Sequence, residues 1–300
     1  MNESIEQFFR VGLVAAMAYP EEYPNHADKV CARIAKDAFF SVVELNPIPN
    51  PTTRARVAQL LDEAHMDVFY GAQARLLSKG LNPNSLDERE RQEAENALIE
   101  SVEEAQELHA KGIAFLSGHW TEDNRVIMLN QLVRTTVNVC RRAAAYGMTC
   151  ELEVFDYDIA KRALVGPAEL AALYAEKVRE SCQNFGLLVD LSHIPMCHEQ
   201  PRDVIRILRP YITHFHIGNT VCRNPKAPAY GDEHPRFGFP GSENDTAELV
   251  EFLLCLKNEG FLRADAPMML SFEVKPRPEE DPDIILAAGK RVLRHAWAMV

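Results

Sequence analysis

Residues 149–155 read TCELEVF, residues 186–192 read GLLVDLS, and an amphipathic stretch at 167–184 lies between these two apolar runs. Each run is short and mostly apolar, as expected for a strand that is buried on both faces of a parallel sheet. A strand, a helix and a second strand in this order predict a parallel pair joined by a right-handed crossover. This unit indicates the fold class, because the rest of the chain repeats it.

The same alternation continues over all 300 residues. It predicts α/β architecture, a single (β/α)8 TIM barrel domain over residues 1–300. An open doubly wound sheet is the alternative, but Ala18-Tyr19-Pro20-Glu21 after the first strand is unlike a Gly-rich phosphate turn. The predicted strands are 11–19, 38–46, 66–72, 113–119, 149–155, 186–192, 212–218 and 268–274. The predicted helices include 86–110, 124–146, 167–184, 201–208, 246–259 and 281–299.

One predicted connection is much longer than the others. Residues 219–245, between the seventh strand and the next helix, contain four Pro and three Gly. Loops of this length without regular structure are usually functional or disordered. At the C-terminal mouth of a barrel, we expect this loop to be a lid or a partner surface.

Charge and composition limit the classes of partner. There are 32 Lys and Arg against 44 Asp and Glu, a formal net charge of -12, so a nucleic-acid partner is not expected. No apolar run approaches the roughly 18 residues that a membrane helix needs, so a membrane partner is not expected either. Seven scattered cysteines without a CxxC pair, and no recognisable secretory signal, predict a cytoplasmic protein. A homo-oligomer is possible.

Charged side chains interrupt four of the predicted strands near their ends. Burying a carboxylate in an apolar run is costly unless it is paired, and the ends of barrel strands converge on one mouth. Three carboxylates gathered there would repel each other, and a divalent cation would relieve that repulsion. A single Glu or His at a strand end is more often paired structurally than bound to a metal. Four such residues at the ends of four strands of one fold favour a metal site. The predicted ligands are Glu153, Asp190, His216 and Glu273.

The ligand types indicate the metal. Three carboxylates and one imidazole favour Mn²⁺, with Mg²⁺, Co²⁺ or Zn²⁺ as alternatives. Glu151 lies two residues before Glu153 on the same strand face. We expect it to lie deeper in the barrel, paired with a cation, and to be a weaker candidate for the site than Glu153.

Seven further residues are predicted to contact a substrate near this mouth. His193 follows Asp190 by three residues, and Glu44 ends the second strand. Each residue also has a structural interpretation: Glu44 could pair with a neighbour, Trp120 could pack, and the loop residues could be solvated. The predicted contacts are His193, Glu44, Trp120, His119, Arg223, His234 and Arg236.

The segments 152–154, 189–193, 214–218 and 272–274 together resemble the xylose isomerase-like superfamily. Within it they resemble the sugar isomerase/epimerase group of D-tagatose and D-psicose 3-epimerases, over about the last half of the chain. The resemblance implies that the four predicted ligands bind the metal and that His193 contacts the substrate. It also implies that Glu153 and Glu273 are catalytic, one removing a proton next to a carbonyl and the other returning a proton to the opposite face.

The chain departs from that group after the seventh strand. The position six residues after His216 is Cys222 where the epimerases have Arg, and Gly231–Gly238 replaces a shorter Gly-rich loop. The epimerases' own substrate therefore does not carry over to this chain. We predict a small-molecule partner, a sugar or polyol.

The leading hypothesis is a metal-dependent isomerase or epimerase of a keto-sugar or sugar-like polyol, acting through an enediolate. The alternative is a lyase or dehydratase, or an enzyme cleaving a C-glycosidic bond, acting on an oxidised sugar or cyclitol, because enolisation serves all these reactions. An endonuclease IV-like DNA repair enzyme would need more His ligands and a basic groove, and the acidic charge disfavours it. A non-catalytic carbohydrate-binding or partner subunit is disfavoured by the intact pair of glutamates.

Overall fold

The protein is described here from a computed structural model that covers residues 3–300. Eight strands close into a barrel in chain order, and every neighbouring pair is parallel, including β1 with β8. The predicted (β/α)8 TIM barrel is thereby confirmed. The strands are β1 (Phe9–Val14), β2 (Val42–Leu45), β3 (Asp67–Gly71), β4 (Gly112–Leu116), β5 (Thr149–Glu153), β6 (Phe185–Asp190), β7 (Ile212–Gly218) and β8 (Met268–Glu273).

Helices follow the strands and cover the outside of the barrel. Several begin at residues that suit a helix N-terminus: Asn50, Asp87 and Asp281 accept hydrogen bonds from the first turn, and Asp245 forms a capping box with Glu248. The helices are α1 (Ala15–Ala18), α2 (Tyr23–Ile34), α3 (Pro51–Glu63), α4 (Gln73–Lys79), α5 (Glu88–Glu107), α6 (Arg125–Ala144), α7 (Ala168–Arg179), α8 (His193–Met196), α9 (Pro201–Leu208), α10 (Thr246–Asn258) and α11 (Pro282–Ala298).

The first two strands are shorter than predicted. The run 11–19 is a strand only to Val14, and Ala15–Ala18 forms a helical turn, since an Ala-rich apolar run suits helix as well as strand. The prediction of 38–46 also began too early. Phe39 and Phe40 precede β2 and pack their rings near Phe272, with centroids 6.3 and 6.1 Å away. Apolar character alone therefore marked buried residues, not strand boundaries.

The long loop 219–245 folds back on itself at the end of β7. The Asn219 side chain donates to the carbonyl of Arg236, and Asn244 donates to the carbonyl of Gly218. These bonds fix the middle of the loop close to the mouth of the barrel. Its role as a lid or partner surface stays a prediction.

The helices of residues 3–300 also bear on the membrane prediction. None of them combines the length and the apolar character that a membrane crossing requires.

Candidate metal centre and active site

Strands β5, β6, β7 and β8 bring the four predicted ligands together. One ligand atom from each of Glu153, Asp190, His216 and Glu273 lies within 4.8 Å of the others. Glu153, Asp190 and Glu273 are the last residues of their strands, and His216 lies two residues before the end of β7. Parallel strands of a barrel end at the same mouth, which explains why residues distant in sequence meet there.

The contacts in this group suit a cation. His216 Nδ1 lies 2.7 Å from Glu273 Oε2 and 3.6 Å from Glu153 Oε1. Gln73 Nε2 donates to Glu153 Oε2 at 2.7 Å, whereas Glu153 Oε1 is buried and has no hydrogen-bond partner in the described part of the chain. A buried carboxylate oxygen without a partner is costly. A divalent ion among three carboxylates and one imidazole would satisfy it, so the residues present fit a metal.

The second nitrogen of His216 faces a different carboxylate. His216 Nε2 lies 3.0 Å from Glu44 Oε2, and His214 Nε2 lies 3.1 Å from Glu44 Oε1. On its other side, His214 Nδ1 lies 3.1 Å from Glu151 Oε2. All four side chains are buried, and they form an unbroken row of alternating carboxylates and imidazoles inside the barrel.

Burial and charge act in opposite directions on this row. Burial alone would raise the pKa of Glu44, but His216 and His214 outweigh it and hold that pKa well below its usual range. Burial alone would lower the pKa of His214, but Glu44 and Glu151 raise it to about 9. Burial would likewise lower the pKa of His216, but Glu44 and Glu273 raise it well above its usual value. The carboxylates in this row therefore favour the protonated form of the imidazoles beside them.

A second group of possible ligands adjoins the first. Asp190, His193 and His234 also offer atoms within 4.8 Å of one another, so Asp190 belongs to both groups. His193 Nε2 and His234 Nε2 lie 2.9 and 2.7 Å from Asp232 Oδ1. Lys161 pairs with the other oxygen of Asp232. The predicted residues His193 and His234 thus lie at the mouth, and the loop 219–245 supplies one of them.

Two residues beside this second group, Asp232 and Lys161, were not identified from the sequence. Asp232 belongs to the segment Gly231–Gly238, and its spacing of two from His234 was the available signal. Lys161 lies in the loop after β5, where a single lysine carries no signal. Burial alone would lower the pKa of His193, but Asp190 and Asp232 raise it to about 10.

A cavity of about 670 Å³ is lined by Glu153, His216 and Glu273 of the first group and by Asp232 beside the second. Its lining includes the charged residues Glu153, Glu273 and Lys161 and apolar residues such as Met17 and Leu77. This volume and this mixture of surfaces are typical of small-molecule sites.

Among the described residues, Glu44 is the only one of the seven predicted substrate contacts that lines this cavity. Five of the other six lie in loops. Strand β4 ends at Leu116, so His119 and Trp120 both lie in the following loop. His119 is exposed, and the ring of Trp120 lies 4.2 Å from the Arg125 guanidinium. Arg223 is 82% exposed and pairs with Glu243, and Arg236 pairs with Glu280. In the loop 219–245, His234 points inward, while these two guanidinium groups bind carboxylates outside the cavity.

The absence of a side chain at Gly218 lets the two groups approach each other. A Cβ at this position would lie 2.7 Å from the backbone oxygen of Glu273 and 3.0 Å from His234 Nδ1. Because a backbone atom cannot yield easily, Gly218→Ala is expected to destabilise the protein by about 1–3 kcal/mol. Urea unfolding would measure this, with Gly289→Ala as the control, where only the Phe272 ring approaches. An equal midpoint in both variants would contradict the prediction.

The chain is similar to known proteins over most of its length. A family model for xylose isomerase-like TIM barrels matches residues 32–289. No functionally curated protein matches the sequence. Similar solved structures include a D-tagatose 3-epimerase-like protein, with 19% identity and a TM-score of 0.73 over 97% of this chain and 98% of that one. An L-ribulose 3-epimerase has 17% identity and a TM-score of 0.72 over 97% of this chain and 96% of that one. The IolI protein with a bound zinc atom has 15% identity and a TM-score of 0.73 over 97% of this chain and 99% of that one.

Proposed function

Because the chain belongs to the xylose isomerase-like TIM-barrel family, we propose that it is a metal-dependent isomerase or epimerase of a keto-sugar or sugar-like polyol. The observation that carries this proposal is the meeting of Glu153, Asp190, His216 and Glu273 beside the 670 Å³ cavity. The names of the similar structures, among them a D-tagatose 3-epimerase-like protein and an L-ribulose 3-epimerase, support a sugar as the substrate.

The four residues would hold one divalent metal, and Mn²⁺ is the ion we expect from three carboxylates and one imidazole. When bound, such an ion supplies Lewis-acid chemistry, polarising a substrate carbonyl and stabilising the negative charge of an enediolate.

Glu153 and Glu273 would move the protons. They end β5 and β8, which are not neighbours in the barrel, so they approach a substrate from different sides. Gln73 holds one oxygen of Glu153, and His216 contacts Glu273. One glutamate would remove the proton next to the carbonyl, and the other would return a proton to the opposite face. Positioned acids and bases of this kind typically contribute about 10²–10⁴-fold in rate.

The second group would orient the substrate. His193 is fixed by its Nδ1, which lies 2.9 Å from the Val154 carbonyl oxygen, and by the Phe155 ring at 4.2 Å between centroids. This arrangement directs Nε2 towards Asp232 and Asp190 at the mouth. We propose that hydroxyl oxygens of the sugar bind beside Asp232, which lines the cavity and which His193 and His234 hold in place. A direct contact of His193 or His234 with the sugar stays a prediction.

A panel of ketoses and an inosose, incubated with the Mn²⁺-loaded protein in deuterated water, tests this function. We expect a product of the same composition as the substrate, with deuterium at the carbon next to the carbonyl, since that proton exchanges through an enediolate. The Glu273→Gln variant is the control and should form no product. A product lighter by one water would indicate a dehydratase instead. Binding without turnover of any compound would indicate a carbohydrate-binding protein.

A further inference from the structure

We infer that Glu44 is a positioning residue, which fixes the orientation and tautomer of His216 and so sets the affinity of the proposed metal site. Glu44 lies on β2, a strand that supplies none of the four proposed ligands. The inference rests on the proposed function for the existence of that metal site, but not for the reaction that the site performs.

The two nitrogens of His216 face different partners. Nδ1 faces Glu273 and Glu153, at 2.7 and 3.6 Å, and therefore points towards the ligand group. Nε2 lies 3.0–3.1 Å from both oxygens of Glu44. A neutral imidazole carries one N–H, and only an N–H on Nε2 can donate to Glu44 while leaving the Nδ1 lone pair for a metal. A metal-bound histidine usually donates its other N–H to such a carboxylate.

Glu44 also contacts a second imidazole, that of His214. Glu44 is 4% exposed, and its Oε1 lies 3.1 Å from Nε2 of the fully buried His214. His214 Nδ1 lies 3.1 Å from Glu151, which also accepts a hydrogen bond from Thr213 at 3.0 Å. Each member of this row therefore has partners on both sides. The row runs from the barrel interior to the proposed ligand His216.

Two other roles for Glu44 fit the contacts less well. Glu44, His214 and His216 could together hold a metal, since their ligand atoms lie within 4.8 Å of one another. However, both oxygens of Glu44 have hydrogen-bond partners, whereas Glu153 Oε1 has none. His214 is also fully buried and is not among the described residues that line the cavity. A contact with a sugar hydroxyl, as predicted from the sequence, would compete with these two imidazoles for the same oxygens.

Calorimetric titration of the metal-free protein with Mn²⁺ tests the inference. Glu44→Gln is expected to bind Mn²⁺ about 10–100-fold more weakly than the unchanged protein, as is typical when such a partner is lost. Glu44→Asp keeps the charge, and we expect it to bind Mn²⁺ more tightly than Glu44→Gln. Glu95→Gln is the matched control, because Glu95 is a similarly buried carboxylate that pairs with Arg91 on α5, and its Mn²⁺ affinity should not change.

Each result has a separate meaning. Equal Mn²⁺ affinities for Glu44→Gln and Glu95→Gln would show that Glu44 is only structural and would overturn the inference. Complete loss of binding in Glu44→Gln, as expected for Glu273→Gln, would make Glu44 a ligand and would also overturn it. If the unchanged protein bound no Mn²⁺, both the proposed function and the inference would fail.

A second measurement does not depend on the folding of any variant. Nitrogen-15 NMR of the zinc-loaded, unchanged protein reports which nitrogen of His216 carries the proton and which is bound. We expect a protonated Nε2 and a metal-bound Nδ1. Metal on Nε2 would overturn the inference.

Discussion

Glu153→Gln is expected to lower kcat by about 10²–10⁴-fold while the protein remains folded. The change keeps the shape of the side chain, so the contact with Gln73 can persist through the remaining carbonyl oxygen. That contact places the new amide nitrogen where the unpartnered Glu153 Oε1 now lies, facing His216 at 3.6 Å. An amide nitrogen neither accepts a proton nor binds a cation, so both proposed roles of Glu153 would be lost.

The measurement is kcat and KM with whichever ketose the unchanged protein converts. Glu63→Gln, on the exposed surface of α3, is the control for the chemical change itself and should retain full activity. Circular dichroism would establish that both variants are folded. A loss of less than tenfold in Glu153→Gln would contradict the assignment of Glu153 as an acid or base.

The fold and the four-residue group were accessible to sequence reasoning for a specific physical reason. Each of Glu153, Asp190, His216 and Glu273 interrupts an apolar strand, where a charged side chain needs a partner. The closed barrel then requires strand ends to converge, so the fold prediction also predicted the proximity of these residues. The contact distances themselves depend on packing, which the sequence pattern does not contain.

The pairing of residues within the row from Glu151 to His216 had no such signal. Glu44 and His216 are 172 residues apart, and β2 and β7 are not neighbours in the barrel. Their contact crosses the barrel interior, and strand periodicity indicates only that each side chain points inward. Sequence reasoning thus found Glu44 but could not identify its partner, and it ranked Glu151 low without finding the contact of Glu151 with His214.

The loop residues could not be told apart from the sequence for a different reason. Arg223, His234 and Arg236 belong to one irregular segment, and no periodicity relates the directions of their side chains. The structure turns His234 inward, with a positive φ of 46°, and its carbonyl accepts a hydrogen bond from the Lys275 amide at 2.7 Å. A non-glycine residue in this conformation is strained and persists only where its surroundings hold it. The conformation of His234 depends on contacts made by the whole folded loop, so the sequence pattern could not predict it.

Removal of divalent metal is expected to abolish turnover, and added Mn²⁺ is expected to restore it. Without the ion, nothing at the site would polarise the substrate carbonyl, and the buried Glu153 Oε1 would have no partner among the described residues. Elemental analysis of the purified protein should find about one ion per chain at this site, lost in both Glu273→Gln and His216→Ala. Full activity in the chelated protein, or unchanged metal content in the two variants, would contradict the proposed mechanism.

Metal binding at this site should also depend on pH. In the metal-free protein, burial would lower the pKa of His216, but Glu44 and Glu273 outweigh burial and raise it well above its usual value. His216 therefore carries an extra proton near neutral pH, and it must release that proton before Nδ1 can bind a metal. The Mn²⁺ affinity should consequently rise with pH through the neutral range and fall as the pH is lowered. Calorimetry in buffers of different ionisation enthalpy would count the released protons, and a pH-independent affinity without proton release would show that His216 is not a ligand.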